Sequence, residues 1–288
     1  MNDEGQILFF IHDSYSGNLQ PPESLAGVKL ELIKYANDSR RLVCTLTSND
    51  LELQSKFSIV TKDIAYKCSG LTGNSLFNKV IELIQSWANF LKPQRTGLSE
   101  AEYIGFWGEL YALSELFLEQ HTPSDTLSFW VGPEGKKQDF TLNKLAVEVK
   151  TTFSSEARKI TISSLEQLDK ITEHLYILHI VANPSDSRNG YSLKDLYDLC
   201  LNKISKDLPS ELLFLQKVTD LYGKASEKQL NSNCTLISLA CYEITDSFPC
   251  LKREDVPSSI SNLKYDLIVS EIRKYESKIA IEEVIKNG

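Results

Sequence analysis

The chain has 288 residues, 42% of them hydrophobic and 24% charged, which is enough apolar material for a core in one large or two modest domains. A formal charge of −8 excludes a protein that tracks phosphates over a generally basic surface. The acid excess is concentrated, because residues 96–183 carry 7 basic against 13 acidic side chains while residues 1–95 balance 10 against 10. Six cysteines without a CxxC pair or a Cys/His cluster argue against a disulfide framework or a structural zinc, so the chain reads as cytoplasmic.

In chain order, residues 7–11 (ILFFI) follow Asp3 and Glu4 and are too short and wrongly flanked for a signal peptide or a membrane span; they read as a buried strand. "GVKLELIKY", "RRLVCTLTS" and "SKFSIVTK" alternate like strands between turn-forming residues. "SLFNKVIELIQSWANFL" (75–91) has helical spacing and stops before Pro93. Residues 1–95 therefore read as a β-rich region with one helix.

Residues 99–120 form the clearest helix, opened by a Ser99–Glu102 capping box. "TLSFWVGP" reads as a strand, "ITISSLEQLDKI" as a helix and "HLYILHIVAN" as a buried strand. The middle region, 96–185, is then expected to be a compact α/β unit with the order αβββαβ, a central mixed sheet flanked by helices. Beyond Pro184, "SLKDLYDLCLNKI" and "SELLFLQKVTDLYG" are amphipathic helices, and "CTLISLACYEI" and "KYDLIVSEI" are strands, giving an α+β region over 186–288.

The stretch "KKQDFTLNKLAVEVKTT" (136–152) sets charges among apolar residues. A two-residue turn at Asn143-Lys144 would pair Phe140 with Val147, Thr141 with Ala146, and Asp139 with Glu148. Period-2 alternation then places Asp139, Glu148 and Lys150 on the face opposite Phe140, Leu142, Leu145, Val147 and Val149. Opposed carboxylates repel unless a cation sits between them, and hard oxygen ligands suit magnesium or manganese. Lys150 would project an ammonium beside such an ion, and the Val149 carbonyl is a natural further ligand. Two readings stand: an ordinary hairpin with a wet charged face, or a metal site.

Other residues carry paired readings as well. Glu109 lies on the helix flank made bare by Gly105, Gly108 and Ala112, and is either a ligand reaching the same site or one of that helix's solvated glutamates. Gln167 would close a capping box with Ser164 or contact substrate; Lys136, Lys137 and Thr151 are further candidate substrate contacts. Trp107 and Trp130 read as buried packing, and no GxxxxGK[ST] loop, GxSxG elbow or Cys–His arrangement is present.

With "GFWGELYALSELF", "FWVGPEGKKQDFTLNKLAVEVKTT", "ITISSLEQLD" and "FPCLKREDVPSSISNLKYDLIV", the chain resembles the PD-(D/E)xK nuclease superfamily, and within it proteins encoded near bacterial restriction-modification and defence genes. Asp139, Glu148 and Lys150 match the motif's two acids and lysine, Glu109 matches its upstream helical acid, and Gln138 stands where the motif's proline would be. The resemblance implies a restriction-endonuclease-like core and a cytoplasmic, Mg2+-dependent (or Mn2+-dependent) DNA endonuclease of a defence system. DNA, other subunits of such a system and a second copy of the chain are the expected partners. The alternative is a non-catalytic DNA- or protein-binding subunit with the same fold, which the acidic charge favours.

Overall fold

The computed structural model describes residues 6–16, 18–36, 38–47, 51–92, 95–185 and 189–288. By contact density the chain divides into two units, Met1–Arg95 with Val218–Lys224, and Thr96–Lys217 with Ala225–Gly288. Among the described residues no helix is long and apolar enough to cross a membrane.

The first unit is a four-stranded antiparallel sheet of β1 (Leu8–Ser14), β2 (Ser24–Leu25), β3 (Val28–Lys34) and β4 (Ser39–Leu46), in the order β1-β4-β3-β2. Ala26 and Gly27 have positive φ, which matches the twist of the β2–β3 hairpin. Val28, Leu30, Leu42 and Cys44 form its buried face. Helices α1 (Leu51–Lys67), α2 (Gly73–Ser86) and α3 (Ala88–Leu91) follow and bury Phe77, Val80, Leu83 and Ile84. The segment "SKFSIVTK", expected as a strand, lies inside α1. Its buried residues Phe57, Val60 and Ile64 recur at three and four, a helical period that a short window misreads as alternation.

In the second unit α4 (Glu100–Ala112) begins with the expected capping box, in which the Ser99 hydroxyl accepts from the Glu102 N–H. It runs on through a π-helical turn, Leu113–Phe117, into α5 (Leu118–Gln120). The expected strand at 126–133 is instead the helix α6 (Pro123–Phe129) and a 3-10 turn, Gly132–Glu134. Its start has a local cause: the Thr122 hydroxyl caps the Asp125 N–H with Pro123 at the first helical position.

Strands β5 (Phe140–Thr141), β6 (Leu145–Phe153), β7 (Lys159–Ile162) and β8 (His174–Pro184) follow, the last two joined through a 3-10 turn at Leu165–Leu168. The helix expected over 160–171 is therefore a strand and one tight turn. Ile160 and Ile162 are fully buried, and β7 pairs with β10 (Tyr265–Ile268), a partner about a hundred residues away that local periodicity cannot reveal. After α7 (Leu193–Ile204), α8 (Leu208–Lys224) and α9 (Glu227–Asn231) comes β9 (Cys234–Glu243). The end of the strand expected at 264–272 turns into α10 (Val269–Ile272), and α11 (Ile281–Asn287) closes the chain.

The main sheet is mixed, in the order β5-β6-β8-β9, with β6 parallel to β8 and the other pairs antiparallel. Residues 186–288 thus supply the strand beside β8. The β5–β6 register is the expected one, Phe140 with Val147 and Thr141 with Ala146. Of the two readings of this hairpin, the wet charged face does not hold. Leu145 to Val149 are all buried, and Ala146 packs in a cluster with Ile160, Ile162, Leu168 and Ile177. Helix α4 packs closely against β6: a Cβ on Gly108 would stand 1.7 Å from the Thr151 hydroxyl, so glycine is required for this approach.

Candidate metal centre

The site forms where β5 runs out and β6 continues. Beyond Val147 no strand among the described residues pairs with β6 on this edge, and the Asp139 side chain takes the vacant ladder position, its Oδ2 accepting from the Val149 N–H at 2.7 Å. Asp139 is clamped by its backbone too, because its carbonyl accepts from the N–H groups of Val131 (2.8 Å) and Gly132 (3.0 Å). Asp139 and Glu148 are therefore not the ladder pair that the hairpin reading expected, since β5 begins one residue after Asp139, at Phe140. The N–H and C=O of a strand residue point to the same edge, so the Val149 carbonyl lies on this open edge as well.

Glu148 is 2% exposed, and its Oε1 lies 2.9 Å from the Lys150 ammonium. Lys150 also donates to Gln167 Oε1 at 3.0 Å, and the same oxygen accepts the Ser163 N–H at 2.8 Å. Ser164 makes no side-chain cap, so the expected Ser164–Gln167 box does not form, and Gln167 is committed to Lys150. From α4, Glu109 presents Oε2 to the Trp130 indole N–H at 2.9 Å. An imagined Cβ on Gly132 would sit 2.8 Å from both Glu109 Oε2 and Asp139 Oδ1, so two carboxylates line a space that only a missing side chain leaves open.

The electrostatics follow from crowding. Burial and the neighbouring Asp139 push the Glu148 carboxyl up to about 8, with Lys150 opposing. Asp139 is raised to about 6 by burial, against the lowering effects of the Val149 N–H and Lys150. Glu109 is raised well above the usual range by burial and then by Asp139, with the Trp130 hydrogen bond pulling the other way. Three acids thus share one lysine, and each would ionise more readily beside a further cation.

Among the described residues no three His, Cys, Asp or Glu side chains already stand as a ligand cluster. The three carboxylates are held instead by Val149, Lys150 and Trp130. The donor set nevertheless fits a hard divalent ion. It offers carboxylate oxygens and a carbonyl, an excess of negative charge, and a cradle that a single methyl group would fill.

Of the other candidates, Lys137 pairs with Asp169 at 3.0 Å and Lys136 is exposed on the turn before Asp139. Thr151 is turned onto α4, its hydroxyl buried without a hydrogen-bond partner. Sequence reasoning missed three supporting residues. Gln138 is buried and donates to the carbonyls of Glu166, Gln167 and Asp169, at 3.3, 3.1 and 3.1 Å, pinning the turn that carries Gln167 to the segment that carries Asp139. Trp130 and Gly132 passed as packing and punctuation; a glycine followed by proline, shortly before a motif acid, was the one available signal.

Compared with known families, the chain matches over residues 2–270 the model described as "Putative PD-(D/E)XK family member, (DUF4420)". Searches of curated proteins and of solved structures found no match. The matched stretch spans nearly the whole chain and includes Glu109, Asp139, Glu148 and Lys150, and so the protein belongs to the DUF4420 family of that description.

Proposed function

We propose that the protein is a divalent-metal-dependent DNA endonuclease, cytoplasmic and part of a bacterial restriction or defence system. The observation that carries this reading is the three-carboxylate, one-lysine cluster at the open edge of β6, in a PD-(D/E)XK chain. Asp139, Glu148, Glu109 and the Val149 carbonyl would hold Mg2+ or Mn2+. When bound, the ion supplies Lewis-acid polarisation of a phosphate oxygen and a more acidic water.

The remaining work falls to the chain. Glu148 and Gln167 both accept from Lys150, which fixes its ammonium as a donor at the site's rim, suited to stabilising negative charge that develops on a phosphate. Gln138 keeps that support in register by tying the Gln167 turn to the Asp139 segment. Trp130 orients Glu109 through one hydrogen bond. Lys136, exposed and three residues before Asp139 in the chain, would contact a backbone phosphate.

Plasmid cleavage with Mg2+, Mn2+ or EDTA, on methylated and unmethylated DNA, tests the reading. Wild type is expected to cut with metal, and Asp139→Ala and Lys150→Ala to lose on the order of a hundredfold or more. The second reading, a binding subunit that does not cut by itself, is favoured by the −8 charge. It predicts DNA retention with no cleavage in wild type or variants.

A further inference from the structure

The first unit has an exposed surface of different chemistry. The pairing of Phe10 with Val43, and of His12 and Ile33 with Arg41, puts these side chains on the sheet face opposite the buried Leu30, Leu42 and Cys44. On that face Phe10 is 54% exposed, Ile33 42% and Tyr35 38%. The Arg41 guanidinium lies 4.8 Å from the Phe10 ring centroid and 5.5 Å from that of Tyr35, and the His12 ring is 5.1 Å from Tyr35. Among the described residues the buried Arg41 Nε–H has no hydrogen-bond acceptor. Glu31, an acid on this face, is already paired with Lys29 at 2.9 Å.

We propose that this face binds single-stranded nucleic acid, with unpaired bases stacking on Phe10 and Tyr35 and Arg41 donating to a base or phosphate oxygen. Every base has a π-face, so exposed aromatic rings on a sheet take strands of any sequence. Arginine beside two rings adds a cation–π contribution, and its guanidinium brings positive charge to the face. A protein ligand would meet the rings equally well, but the guanidinium charge of Arg41 and the paired Glu31 favour an acceptor-rich, anionic one. The proposal stands independently of the nuclease reading and adds a second contact, outside the carboxylate cluster.

Fluorescence anisotropy in EDTA tests it, with labelled oligothymidylate and an abasic strand of equal length. Wild type is expected to prefer the base-bearing strand about tenfold or more, and Phe10→Ala and Tyr35→Ala to weaken binding about five- to hundredfold each. Tyr35→Phe, which keeps the ring, retains binding, whereas Arg41→Lys, which loses the planar guanidinium, weakens it. The salt dependence is shallow, because one arginine releases few counterions. Equal affinity for the abasic strand, variants that bind like wild type, or no binding of any strand overturns the proposal; the last, with a protein partner that Phe10→Ala releases, makes the face a protein interface. Thermal melts confirm that the exposed-site variants fold. Mn2+ titration of Phe10→Ala reads the carboxylate cluster separately, so failure of one proposal is not mistaken for failure of the other.

Discussion

Both units bury a carboxylate against a tryptophan N–H, and the two arrangements differ in charge balance. In the first unit Asp63, wholly buried on α1, accepts the Trp87 indole N–H at 2.7 Å and pairs with Lys67 one turn later at 3.0 Å. One acid meets one lysine. In the second unit Glu109 accepts the Trp130 indole N–H at 2.9 Å, but it also faces Asp139 and Glu148, and the three share Lys150. A balanced buried carboxylate ties helices together. An unbalanced cluster costs stability by itself, and is understandable as a place kept for a cation.

Removing an acid should therefore act oppositely in the two places. Asp63→Ala leaves the indole N–H and lysine unmatched and is expected to lose about 3 kcal/mol in urea unfolding. Glu148→Gln should lose nothing and gain on the order of 1 kcal/mol at pH 8, because Lys150 keeps Gln167 as an acceptor. If the two substitutions destabilise alike, the contrast in charge balance is wrong.

The next effect is read in pH. Glu148 is raised from 4.5 to about 8, and Asp139 from 3.8 to about 6, so the folded protein keeps protons that the unfolded chain has released. Stability must then fall as pH rises through that window, and above pH 6.5, where Glu148 alone still releases its proton, by on the order of 2 kcal/mol without metal. His179 acts in the other direction. Burial lowers its pKa from 6.5 to about 4, so stability present above 6.5 is lost as pH falls toward 4. The carboxylate slope is accordingly measured above pH 6.5. Melting temperature should decline there in wild type, flatten in Glu148→Gln, and flatten on adding Mg2+; a level wild-type curve would sink the idea of raised carboxyls.

The smallest expected effect compares two glycines. An added methyl at Gly132 meets Asp139 Oδ1 and Glu109 Oε2 at 2.8 Å, whereas one at Gly105, within α4, meets nothing within 4 Å. Gly132→Ala should weaken Mn2+ binding by calorimetry about tenfold, or roughly 1.4 kcal/mol. Gly105→Ala should leave it unchanged and stabilise the helix by roughly 0.5–1 kcal/mol. Equal Mn2+ affinity in both variants would remove the Gly132 cradle from the site.

What local chemistry specifies could be read from the sequence. The α4 start was visible in Ser99 and Glu102, the hairpin register in the turn at Asn143-Lys144, and the candidate acids and lysine in their spacing. Elements that long-range pairing decides were misread. Residues 160–162 become a strand because β10 lies alongside, and 55–62 become part of a helix in which Phe57, Val60 and, one turn on, Ile64 are buried together. The same division runs through the site. Sequence alone determined which side chains can ligate or donate and that the middle of the chain is acidic. Only the tertiary structure decided that both faces of β6 are covered, that Asp139 fills a ladder position at its open edge, and that Gly132, Trp130, Gln138 and Gln167 surround the acids. Residue type and near-neighbour spacing are local properties, whereas burial, and with it the energy of a charge, depends on what distant segments bring alongside.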